Sequence, residues 1–208
     1  MSRRTDWHAV GHERSTLADL LEGLAPSEWA VHSRCPGWRV RDVAAHLTTA
    51  TRRVRPPGLL DEPSARLPAA PPPPPPDERT TEQLVADLRR PVPGAHVRPG
   101  AGARDALVEV LVHGQDIARP LGLERPVPPP LAVLAAERVW AARPFRAAAR
   151  YPGIRFEADD ADLVLGDGTT VTGPALAVLL ALTGRSVALE ELSGHGSGLL
   201  QRAFSRLG

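Results

Sequence analysis

Apolar positions recur with a helical period along much of the chain. Val10, Leu17, Leu20, Leu21 and Leu24 predict a helix from about Thr5 to Leu24, closed by Ala25-Pro26. A turn carrying Cys35-Pro36-Gly37-Trp38 follows, since Pro-Gly breaks a helix. A second helix is expected over about Val40 to Arg53, with Val43, Ala44, Leu47 and Val54 on its apolar side. Thr80 or Thr81 caps a third, running to Arg90 with Leu84, Val85 and Leu88 inward. Residues 91–102 read as loop, and a strong fourth helix runs from about Ala103 to Leu121. Its stripe is Leu107, Val110, Leu111, Gly114, Ile117 and Ala118. Leu131 to Ala142 reads as a fifth.

The pattern changes near Tyr151. Ile154 to Ala158 alternates like a half-buried strand. Leu163 to Leu165, Gly166-Asp167-Gly168 and Thr169 to Thr172 read as a hairpin or meander with an Asp-Gly turn. Gly173-Pro174 opens a helix that runs through Leu182, and a last short helix covers about Leu199 to Phe204. The expected fold class is therefore α+β, with a helical bundle over 1–150 and a small α/β domain over 151–208. Residues 55–79 interrupt the bundle. They contain the unbroken run Pro71 to Pro76, which cannot be a helix interior and predicts an extended polyproline II connection.

Composition narrows the function classes. Aromatic residues make up 4% of the chain, so the core must rest on Leu, Val and Ala, which favours helices. A net charge of +1 provides no field for nucleic acid or acidic membranes. Every basic residue is arginine, a coding bias that makes any single arginine weak evidence for anion binding. The one cysteine, Cys35, excludes an internal disulfide and fits a reducing cytoplasm. No signal peptide is visible at the N-terminus. The apolar run Ala175 to Leu182 is shorter than the ~20 residues needed to span a bilayer.

Three residues carry the candidate chemistry. Glu109 and His113 are one helical turn apart and lie at the margin of the core-facing side marked by Val110 and Leu111. Such a pair can share a metal ion or simply form a solvated ion pair. His46, between Ala45 and Leu47, leans inward on another helix, as a ligand or as a core histidine bonded to a carbonyl. Three ligands would leave a coordination position open, the catalytic pattern of zinc. Asp116, three residues after His113, is placed to orient that imidazole from behind, or to pair with Arg119 at the surface. Cys35 reads as a nucleophile, a fourth ligand, or a small buried residue beside Trp38. No nucleophile elbow, His-Glu-x-x-His or phosphate loop occurs.

The stretches Cys35 to Leu47 and Leu111 to Gly122 resemble two signatures of the mycothiol-dependent maleylpyruvate isomerase family, and Gly173-Pro174-Ala175-Leu176 with Thr183-Gly184-Arg185 is similar to its C-terminal domain. The resemblance implies a DinB-like four-helix bundle whose His, Glu and His metal ligands fall on His46, Glu109 and His113. It implies mycothiol as cofactor, bound at the metal, and a thiolate that adds to an activated double bond of a small acidic substrate. Arg185 is the residue expected to meet that substrate, or else to complement a helix C-terminus. Two departures stand out: the proline-rich 55–79 where the family carries helical sequence, and Arg39 in place of a capping threonine before Val40. Three functions follow as expectations: a metal- and thiol-dependent isomerase or transferase, a metal-binding regulatory or interaction protein, and a metal-dependent hydrolase. Zinc is the expected ion.

Overall fold

A computed structural model describes residues 3–49, 77–91, 102–142 and 147–206. The proline run Pro71 to Pro76 and most of the loop expected over 91–102 lie outside the described residues. The chain divides into two compact units, with a boundary between Pro126 and Val127.

The first unit holds α1 (Arg3–Glu22), α2 (Val40–Thr49), α3 (Thr81–Arg89) and α4 (Ala103–Ala118). α1 packs on α3 and α4, and α2 packs on the same two, so all four enclose one core. Val10, Leu17, Leu21, Leu47, Leu84 and Leu107 fill it. Burial of such side chains contributes on the order of 1.5–3 kcal/mol each.

The apolar stripe of α1 has a gap at Glu13 and Arg14, yet both are buried. Each finds a partner elsewhere, as buried charges require, although Arg14 Nε makes no hydrogen bond among the described residues. Glu13 Oε2 accepts from Arg125 Nη2 at 2.8 Å. Arg14 donates to the carbonyls of Leu47 at 2.7 Å and Asp87 at 3.2 Å, reaching the last turns of α2 and α3. α3 begins with a capping box: Thr80 accepts from the Gln83 N–H, and the Gln83 side chain accepts from the Thr80 N–H. α2 lacks a capping side chain at Arg39, but Asp42 Oδ2 accepts the Arg39 N–H at 2.8 Å and contributes half of the same device.

The second unit contains α5 (Pro129–Ala141), α6 (Ala147–Arg150), β1 (Ile154–Ala158), β2 (Val164–Leu165), β3 (Thr169–Gly173), α7 (Ala175–Leu182) and α8 (Ser197–Ser205). α7 is apolar all round and almost wholly buried. α5 packs against it through Ala132, Ala135, Ala136 and Val139, one face of small residues that permits close approach. The division into units therefore puts α5 with the sheet, whereas the sequence reading ended the bundle at 150.

The sheet is α+β in character but its topology corrects an expectation. β2 and β3 do not pair as a hairpin; both flank β1, in the order β2-β1-β3. β1 runs antiparallel to β2, with Phe156 opposite Leu165, and parallel to β3, with Ile154 opposite Thr169. The cause lies in Gly166-Asp167-Gly168. Gly168 has φ +128° and passes so close to Gly153 that a Cβ would lie 2.3 Å from its carbonyl oxygen. The Thr169 N–H then bonds that carbonyl at 2.9 Å and starts β3 on the far edge of β1. Among the described residues no helix is long and apolar enough to cross a membrane.

Candidate metal centre

The site lies within the first unit and is assembled from α2, α4 and the loop before α2. That loop is a type II turn: the Trp38 N–H donates to the Cys35 carbonyl at 3.0 Å, with Pro36 and Gly37 central and Gly37 at φ +78°. Ser33 braces it. Its hydroxyl donates to the Trp38 carbonyl at 3.0 Å and accepts the Cys35 N–H at 3.1 Å. The Arg34 N–H, in turn, bonds the Asp116 carbonyl at 3.0 Å, which docks the turn on α4.

On α4 the four residues His113-Gly114-Gln115-Asp116 each have a distinct contact. Gly114 leaves room for Arg125, whose guanidinium would lie 2.7 Å from a Cβ there. Gln115 Nε2 donates to the Arg125 carbonyl at 2.8 Å. Arg125 completes the ion pair with Glu13, both side chains being under 5% exposed. Asp116, with its side chain 1% exposed, approaches His113 Nδ1 through Oδ2 at 2.9 Å. These bonds set the rotation of α4 and the orientation of its histidine.

His46, Glu109 and His113 come together. Glu109 Oε2 lies 3.2 Å from His46 Nε2 and 3.3 Å from His113 Nε2. The donor atoms of all three lie within 4.8 Å of one another. A tetrahedral ion with bonds of about 2.0–2.2 Å holds its ligand atoms about 3.3–3.6 Å apart, so the spacing suits one. The imidazoles stand edge to face, with centroids 5.2 Å apart, and Trp38 packs edge-on against His46 at 5.4 Å. The side chain of His113 is 16% exposed and that of Glu109 44%, so the cluster is backed by protein and opens toward solvent at the carboxylate.

The charges respond to this packing. Partial desolvation opposes ionisation of Glu109, but hydrogen bonds from His113 and His46 outweigh it and hold the carboxyl well below the usual range. Burial likewise opposes the charged form of His113, yet Asp116, Cys35 and Glu109 together raise its pKa well above the ordinary imidazole value. Both His113 nitrogens thus face acceptors, and a metal ion at Nε2 would replace a proton there.

Of the other candidates, Cys35 meets His113 from behind and Arg185 does not join the cluster. Cys35 is buried, with Sγ 3.2 Å from Asp116 Oδ2 and 3.5 Å from His113 Nδ1, on the side of the imidazole away from Glu109. With His113 and Asp116 it forms a second group of converging donors. The sequence offered Cys35 as a nucleophile, a fourth ligand or a small buried residue, but not its link to Asp116, which lies 81 residues away. Arg185 belongs to the second unit, where its Nη1 donates to the Thr183 carbonyl at 2.8 Å. The remaining histidines among the described residues, His8, His12, His32 and His195, are exposed and belong to neither group of converging donors.

Comparison with known proteins gives a consistent result. Residues 10–118 match the family described as mycothiol maleylpyruvate isomerase N-terminal domain. No curated protein matches the chain. Among solved structures, a histidine-to-alanine mutant of a mycothiol-dependent maleylpyruvate isomerase superposes with a TM-score of 0.55 over 95% of this chain and 94% of that one, at 13% identity. The likeness extends through both units and is one of fold.

Proposed function

This chain belongs to the mycothiol maleylpyruvate isomerase family through its N-terminal domain, and from that premise we propose that it is a metal- and thiol-dependent enzyme, an isomerase or thiol transferase acting on a small acidic substrate with an activated double bond. Zinc is the proposed ion and mycothiol the proposed thiol. The observation that carries this reading is the convergence of two imidazole nitrogens and one carboxylate oxygen on a face open to solvent. Three protein donors with an open position is the arrangement of catalytic rather than structural zinc.

Bound there, the cation would supply Lewis acidity, stabilising a thiolate at neutral pH and negative charge developing on the substrate. The chain's own residues prepare for this. Glu109 is the one anionic donor of the three, so a dication held by the set retains a net positive charge and favours an anionic partner in the open position. Asp116 accepts from His113 Nδ1, which directs the Nε2 lone pair toward the convergence point. Trp38 covers one edge of His46 and keeps water from that side of the ring.

The test is optical. The cobalt-substituted protein, titrated with mycothiol, is expected to develop a thiolate-to-cobalt charge-transfer band, and His113→Ala to abolish it. A wild-type protein that binds cobalt and shows no such band with mycothiol contradicts the thiol-dependent reading. Loss of cis unsaturated keto acid in the zinc-loaded protein, dependent on added mycothiol, is the expected activity.

A further inference from the structure

One buried thiol beside the site takes no part in the proposed chemistry. Cys35 is 8% exposed, and its thiol donates to the same Asp116 oxygen that approaches His113 Nδ1. That oxygen serves two donors at once, 3.2 Å from Sγ and 2.9 Å from Nδ1. Asp116 is also tied through its backbone, where its carbonyl accepts the Arg34 N–H at 3.0 Å. The Cys35 turn and α4 are thus joined twice at one residue, once by main chain and once by side chain.

The group formed by Cys35, His113 and Asp116 could be taken for a metal site of its own. Distances argue otherwise. An ion between His113 Nδ1 and Asp116 Oδ2 would hold them about 3.3–3.6 Å apart. They stand at 2.9 Å, the length of a charge-assisted hydrogen bond. On the opposite side of the ring, His113 Nε2 stands 3.3 Å from Glu109 Oε2 at the open cluster. One face of His113 is therefore built for hydrogen bonding and the other for a ligand.

We propose that Cys35 is a positioning residue of the metal centre: its thiol, bonded to Asp116, fixes the carboxylate in the orientation that keeps the His113 proton on Nδ1 and the Nε2 lone pair on the metal. The proposal rests on the metal-binding reading. Its physical basis is the cost of a buried carboxylate that loses a donor. Without the thiol, the Asp116 carboxylate can swing toward other donors, and His113 loses the acceptor that selects its tautomer. Partners of this kind, behind a metal-bound histidine, typically alter affinity by about 10–100-fold. A thiol suits the position because it is a donor small enough for the Pro-Gly turn and apolar enough for the wall beside Trp38.

The experiment measures zinc affinity by competition with a chromophoric chelator for wild type, Cys35→Ala and Cys35→Ser, with the His113 tautomer read by 15N NMR of the zinc-loaded proteins. Cys35→Ala is expected to weaken zinc binding about tenfold or more and to blur the Nδ1–H signature. Cys35→Ser, which keeps a donor, is expected to recover most of both. Wild-type affinity and an unchanged tautomer in Cys35→Ala overturn the proposal and leave the metal site intact. So does a Cys35→Ser protein that loses as much as Cys35→Ala. A wild-type protein that binds no zinc overturns the metal-binding reading together with this one.

Discussion

Substituting Gly114 by alanine tests the packing that orients His113. A Cβ on Gly114 would lie 2.7 Å from Arg125 Nε, 2.8 Å from Cζ and 3.0 Å from Nη1. The guanidinium must move, and its surroundings oppose that. It is 4% exposed, paired with Glu13 at 2.8 Å, and its backbone carbonyl is held by Gln115 at 2.8 Å. If the guanidinium is driven off Glu13, the unpaired buried charge costs up to about 3–5 kcal/mol. Alanine returns about 1 kcal/mol of helix propensity. The net expectation is a loss of up to about 2–4 kcal/mol. With a urea m-value of about 2 kcal/mol/M, the unfolding midpoint falls by up to about 1–2 M. Tryptophan fluorescence reports on the right unit, because Trp7, Trp29 and Trp38 lie in it with Gly114. A Gly114→Ala protein with a midpoint at or above wild type would refute the argument, since the guanidinium would then relax without penalty.

Two further outcomes follow from the same geometry. In the metal-free protein, the raised pKa of His113 gives a stability contribution that is full below its ordinary value of 6.5 and lost as pH rises through its folded value. The lowered pKa of Glu109 gives a contribution that is full above 4.5 and lost as pH falls through its depressed value. Maximal stability is expected between these limits in chelator; a rise in stability from pH ~6 to ~9 would contradict it. In the second unit, Gly168→Ala places a side chain at φ +128° and 2.3 Å from the Gly153 carbonyl. It should cost on the order of 1–3 kcal/mol or more, followed by Trp140 fluorescence, and a neutral effect would contradict the parallel pairing of β1 and β3.

The helices of the first unit were legible because their signals are local. Thr80 and Gln83 mark the start of α3 at the right spacing, and Leu107, Leu111 and Ile117 mark one face of α4. The sheet was less so. Gly166-Asp167-Gly168 announces a turn, but nothing local to it says that Gly168 meets Gly153 and sends β3 to the other edge of β1. The alanine face of α5 likewise announces close packing without naming α7 as its partner. Of the site, the one-turn spacing of Glu109 and His113 and the apolar flanks of His46 were visible in the sequence. The link from Cys35 to Asp116 was not, because it joins a loop to a helix across 81 positions. Gly114 inside α4 was a clue of the same kind: a glycine amid an apolar stripe signals close approach, here by Arg125.

The proposed chemistry requires His46, Glu109 and His113 to hold one divalent ion. The most direct measurement is the metal content of the purified protein after stripping with chelator and reloading with zinc, compared across wild type, His46→Ala, Glu109→Ala and His113→Ala. About one equivalent is expected in wild type and near loss of tightly bound zinc in each variant, since removing any of three ligands leaves only two. Less than about half an equivalent in wild type, or undiminished zinc in His113→Ala, would contradict it.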